Sequence, residues 1–116
     1  MKKFISILIF ISCFLLLNIS GAMGKCEEGD CVNGKGTYKD ALGNEYDGEW
    51  KNGKKHGTGT LILKNEKEKY KGQWLNGMRH GKGLYKFKNG ETYDGDWVKD
   101  KRTGKGTYIY FFVAEL

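Results

Sequence analysis

Few side chains in this sequence stand where they could break bonds or move protons. Asp94 and Asp96, two apart, put two carboxylates on one side of an extended segment, the minimum for paired acid–base work. The equivalent positions elsewhere read Asp47 and Glu49, then Lys71 and Gln73, so the charge reverses between copies and the pair reads as a solvated sheet face. His56 and His80 sit at equivalent loop positions before a glycine, where the loop's own hydrogen bonding explains them better than general-base work. Two histidines with Cys26 and Cys31 are too few for a zinc site, so no metal or other cofactor is expected. Gly34-Lys35-Gly36 has neither a Walker pattern nor a following helix to receive phosphate. No serine or cysteine has a base near it in sequence, and no catalytic residue is assigned. The chain reads as a non-enzyme.

Before any domain begins, residues 1–24 are a different material. Lys2 and Lys3 precede an apolar run from Phe4 to Leu17, followed by a small, polar exit with Ala22 and Gly24. That order describes a helical secretory signal peptide cut after Gly24, because a membrane span wants roughly 20 apolar residues. Lys25 stands where lipidation of Cys26 needs a small residue, which disfavours a lipoprotein. The expected location is the periplasm, the cell envelope or the extracellular space. Export leaves Cys26 and Cys31 as an even pair in a compartment that permits a disulfide, which is expected between them. Without Lys2 and Lys3 the formal charge of +6 falls to +4, still mildly basic.

The remaining chain repeats. YDGEWKNGKKHGTGTL from Tyr46 returns as YKGQWLNGMRHGKGLY from Tyr70 and YDGDWVKDKRTGKGTY from Tyr93. A period of this size marks a repeat architecture whose units bury their apolar faces against each other. Within a unit the alternation has period two, which means strands. Asn52-Gly53, Asn76-Gly77 and Asn89-Gly90 are reversal signals. The expected fold is all-β: an elongated single-layer antiparallel meander of repeated hairpins. About seven strands fall near 35–39, 45–50, 58–64, 69–74, 82–88, 92–97 and 105–112. One face collects Tyr38, Tyr46, Trp50, Leu61, Leu63, Tyr70, Trp74, Tyr85, Phe87, Tyr93, Trp97, Tyr108 and Tyr110; the other is largely charged. The glycines of each unit, Gly48, Gly57, Gly59, Gly72, Gly81, Gly83, Gly95, Gly104 and Gly106, leave room for the rings of neighbouring strands. Tyr46, Trp50, Tyr70, Trp74, Tyr93 and Trp97 with these glycines make the repeat core.

Tyr-x-Gly-x-Trp-x-Asn-Gly, then a basic residue, His-Gly, a glycine pair and an aliphatic or aromatic strand resembles the MORN (membrane occupation and recognition nexus) repeat. The likeness covers about 34–110. The third copy departs from it, with Lys99-Asp100 for Asn-Gly and Thr103 for the histidine. The resemblance implies a binding or scaffolding surface, at times beside membranes or a catalytic domain. The chain divides into a signal at 1–24, a cysteine segment at 25–33, the repeat domain at 34–112 and a tail at 113–116.

A meander places all loops between each Trp and its glycine pair along one edge. Those loops carry Lys51, Lys54, Lys55, Arg79, Lys82, Lys99, Lys101, Arg102 and Lys105 against Asp100 alone, while the opposite edge balances its charges. Such an edge is suited to an anionic membrane surface. The expected function is a binding surface at the cell envelope for a protein partner or such a membrane. The alternatives are a carbohydrate-binding or adhesin-like module using the aromatic face, and an accessory subunit of an envelope enzyme. Export argues against nucleic acid. Thr107 to Val113, β-branched and aromatic, is an edge through which copies of the chain would associate.

Overall fold

Two-residue turns set the register of this fold. Asn52-Gly53 and Asn76-Gly77 lie in the left-handed backbone region, with φ of 51° and 73° and of 50° and 83°, the conformation that matches the right-handed twist of the strands they join. The computed structural model describes residues 24–111. Its strands are β1 (Lys25–Gly29), β2 (Gly34–Lys39), β3 (Glu45–Lys51), β4 (Lys54–Ile62), β5 (Lys69–Leu75), β6 (Met78–Lys86), β7 (Thr92–Val98) and β8 (Lys101–Ile109), with no helix among those residues. They form one antiparallel sheet in chain order. At about 4.8 Å per step the stack is roughly 34 Å long. The expected signal segment and the tail at 113–116 lie outside the described residues, apart from Gly24.

The meander is as the alternation requires, but it holds eight strands rather than about seven. The extra one is β1, whose five residues are all exposed. A strand with no buried face leaves no alternation to read; backbone pairing to β2 holds it in place. Cys26 and Cys31 lie at disulfide distance, 2.07 Å between sulfurs, tying β1 to the turn that follows it. The hairpin strands also begin earlier than expected. Lys54, Lys55 and His56 already belong to β4, and Arg79 and His80 to β6, because the turns between them and the preceding strands are only two residues long.

One glycine from each strand stands opposite the next across the whole sheet: Gly29, Gly36, Gly48, Gly59, Gly72, Gly83, Gly95 and Gly106. Over this row lie the aromatic rings. A methyl group on Gly59 would meet the Tyr46 ring and hydroxyl, so the glycine is the floor on which the tyrosine rests. The buried core is Tyr46, Tyr70, Trp74, Tyr93 and Trp97. Successive rings meet edge to face: Tyr46 lies 4.9 Å from Trp50 and 5.4 Å from Trp74, and Tyr70 lies 4.9 Å from Trp74 and 5.3 Å from Trp97. Such contacts add about 0.5–1.5 kcal/mol each beyond area burial.

The polar ends of these rings are satisfied by backbone. Each Tyr hydroxyl donates to the carbonyl three residues on: Tyr46 to Glu49 at 2.8 Å, Tyr70 to Gln73 at 2.8 Å and Tyr93 to Asp96 at 3.0 Å. Those carbonyls sit where β3, β5 and β7 bulge against their hairpin partners. Each indole donates to a glycine carbonyl on the preceding even strand, Trp50 to Gly36, Trp74 to Gly59 and Trp97 to Gly83, at 3.0–3.1 Å. Tyr-x-Gly-x-Trp is therefore a clamp in which the tyrosine fixes the bulge and the tryptophan fixes the neighbouring hairpin.

Candidate functional site

The turn length that sets the register also decides where the basic side chains go. A two-residue turn pairs Lys51 with Lys54 and Trp50 with Lys55, and paired residues share a face. Lys55 therefore points over the aromatic side, its ammonium 5.4 Å from the Trp74 ring and 5.7 Å from that of Tyr46. Arg79 and Arg102 occupy the same place in the next two hairpins, opposite Trp74 and Trp97. Arg79 lies 4.6 Å from the Trp97 ring, and Arg102 between 5.4 and 5.7 Å from Phe87, Tyr108 and Tyr93. These are cation–π distances.

Along this face run four shallow pockets of about 500, 340, 440 and 460 Å³. Tyr38, Trp50 and Leu61 line the first, Tyr70 and Trp74 the second, Tyr85, Phe87 and Trp97 the third, and Tyr93, Tyr108 and Tyr110 the fourth. Lys55 borders the first and second, Arg79 the second and third, Arg102 the third and fourth. The face thus alternates aromatic pocket and cation, one of each per hairpin, about 10 Å apart by the strand spacing, with the Arg79 guanidinium already paired with Asp100 at 3.0 Å. Burial beside the rings lowers the Lys55 ammonium below the usual lysine value, against the pull of Asp40 and Asp100. A desolvated cation of this kind regains stability when an anion is brought to it.

The nine basic residues expected on one edge do not form a single ribbon. Lys51, Lys54, Lys99 and Lys101 stand at or beside the first and third of these two-residue turns. Leu75 and Met78 flank the second. Lys55, Arg79 and Arg102 turn onto the aromatic face. Lys82 and Lys105 sit inside β6 and β8, Lys82 in an ion pair with Asp96. Five of the nine leave the edge because each hairpin loop is two residues long and does not run to the glycine pair; Asn-Gly in the first two hairpins is the signal that shortens it. The carboxylates expected on a merely solvated face are also engaged, since Glu49 accepts a hydrogen bond from the Thr58 amide at 2.5 Å. Nor are His56 and His80 loop residues; both lie within strands.

Among the described residues no group of three or more His, Cys, Asp or Glu side chains is placed to hold a metal ion, and no helix is long and apolar enough to cross a membrane. A family model described as MORN repeat matches residues 46–66, 70–92 and 93–111, together more than half of the chain. No curated protein matches the chain.

Proposed function

The chain belongs to the MORN-repeat family, and from that premise we propose that it is an exported, non-catalytic binding module whose aromatic face holds an extended, acidic segment of a protein partner at the cell envelope. The observation that carries this reading is the alternation of pocket and cation at the hairpin period, Lys55, Arg79 and Arg102 each standing between two pockets. A polyproline II segment advances about 3.1 Å per residue with three residues per turn, so a step of about 10 Å is one turn and every third side chain returns to the same side. The face suits a segment with an acidic side chain every third residue and an apolar or aromatic one between. Cation and pocket then act together: at Lys55 the carboxylate neutralises a base partly withdrawn from water, while the apolar side chain covers the rings.

The test uses a fluorescent peptide with glutamate at every third position and leucine or phenylalanine between, titrated by anisotropy alongside anionic and neutral vesicles. Lys55→Gln and Arg102→Gln should each weaken peptide binding by about fivefold, the upper end for an ion pair that solvent still reaches. Lys51→Gln, Lys54→Gln, Lys99→Gln and Lys101→Gln should leave it nearly unchanged. Binding to anionic vesicles that is lost with the turn lysines and indifferent to Lys55 and Arg102 would overturn the reading in favour of the membrane edge. Binding to glycans through the same face would overturn it in favour of a carbohydrate module.

A further inference from the structure

The two ends of the sheet are not equivalent. β3, β5 and β7 each meet their own hairpin partner through a bulge, at Gly48/Trp50, Gly72/Trp74 and Gly95/Trp97. On their other side each meets the preceding even strand in an unbroken run of six pairs. β1 also meets its hairpin partner through a register shift, at Cys26/Glu28 against β2, although here the shift precedes the row glycine, Gly29, instead of following it. Its other side is the side that in β3, β5 and β7 receives an even strand, and among the described residues nothing pairs with it. β8 is an even strand in the same condition: β2, β4 and β6 are each followed by an odd strand, and β8 is the last in the sheet.

Charge follows the same logic. At two of the three junctions of an even with the following odd strand, a lysine beside the glycine row faces an acid: Lys35 stands opposite Glu49, and Lys82 opposite Asp96, while β4–β5 sets Thr58 opposite Gln73. Lys105 precedes Gly106 as Lys82 precedes Gly83, and Asp30 follows Gly29 as Asp96 follows Gly95. Glu28 stands where Asp94 stands. The β8 end carries Lys101, Arg102 and Lys105, all exposed; the β1 end carries Glu27, Glu28 and Asp30 against Lys25, exposed likewise.

We propose that copies of this chain associate head to tail, β8 of one copy pairing antiparallel with β1 of the next, Gly106 opposite Gly29 and Lys105 opposite Asp30. The junction follows the β6–β7 register as far as β1 extends, to Gly29, with Asp30 in the turn just beyond it. Each copy presents one end of each kind, so the contact is heterologous and the assembly is open-ended. Because the glycine row continues through the junction, the aromatic face stays on one side from copy to copy.

Sedimentation velocity over a concentration series, on the protein as processed by the cells that express it, tests this. The expected result is a mass that rises past the dimer without a plateau. Glu28→Lys and Lys105→Glu, both at exposed positions, should each weaken association by roughly tenfold by setting like charges across the junction, the new lysine diagonal to Lys105 in the first and the new glutamate beside Asp30 and diagonal to Glu28 in the second. An equimolar mixture of the two variants should recover pairing, because β8 of the Glu28→Lys chain meets β1 of the Lys105→Glu chain at a junction where neither charge is reversed. A chain that stays monomeric at every concentration overturns the proposal. So does one that stops at two copies and ignores Glu28→Lys, which marks β8 pairing with β8.

Discussion

One methylene separates the third hairpin from the first two. Glu49 and Gln73 are long enough for their side-chain oxygens to reach across the bulge, accepting from the amides of Thr58 at 2.5 Å and Lys82 at 2.7 Å. Asp96 occupies the same position and falls short. Its carboxylate pairs with the Lys82 ammonium instead, and the Lys105 amide is taken by the Thr103 hydroxyl at 3.2 Å, which in turn donates to the Asp96 carbonyl at 3.3 Å. Two departures of the third copy, Asp96 for Glu or Gln and Thr103 for His, thus compensate each other. Glu49→Ala should cost about 1–2 kcal/mol in urea denaturation, the loss of a hydrogen bond that leaves an amide unpaired. Glu49→Gln should be nearly neutral, since Gln73 already does this work; equal losses for both would rule the account out. Alternation tells which side of a strand a residue occupies, and so the tyrosine and glycine rows were legible in the sequence. It does not tell how far a side chain reaches, and so Glu49 looked like any solvated acid.

Elements show the same division. Lys99-Asp100 carries neither Asn nor Gly, yet adopts the turn of the other hairpins, with φ of 47° and 69°. The strain of two side chains in the left-handed region is offset by Arg79. Asp100 Oδ1 accepts from the Arg79 amide and Nε at 2.8 and 3.0 Å, its carbonyl accepts from Nη2 at 3.0 Å, and its own amide donates to the Arg79 carbonyl at 3.0 Å. The equivalent backbone bonds elsewhere, Gly53 to Val32 and Gly77 to Lys55, show that each turn rests on the hairpin before it. A double-mutant cycle over Arg79→Ala and Asp100→Gly should give a coupling of on the order of 1 kcal/mol, modest because both side chains touch solvent. Strict additivity would mean that the third turn stands without Arg79. Sequence reading located this hairpin by its strands and could not see its turn, because the residues that stabilise it come from the previous repeat. β1 escaped for a related reason: its pairing is all backbone and its side chains are all exposed.

At the scale of the molecule, the core is a single row of rings whose hydroxyls must stay protonated to donate. Burial pushes Tyr70 up to about 12 and Tyr46 higher still, and burial with the Glu68 hydrogen bond takes Tyr85 to about 12. The folded state therefore holds its protons more tightly than the unfolded chain, whose tyrosines ionise near 10. Stability from these groups is complete below that pH and is lost as pH rises through about 12. Absorbance at 295 nm should show some tyrosines ionising early and Tyr46 and Tyr70 only as the sheet unfolds; a single transition near 10 with the fold intact would contradict it. The meander has one more consequence, and it is mechanical. β1 and β8 stand at opposite ends of the stack, so tension applied through the two ends of the described chain acts across the strands and loads their hydrogen bonds one pair at a time. The Cys26–Cys31 link clips only the first turn. Under load such a sheet opens like a zip fastener, one hairpin after another, each releasing about 80 Å of chain at some 3.4 Å per residue, and behaves as an extensible leash rather than a rigid strut.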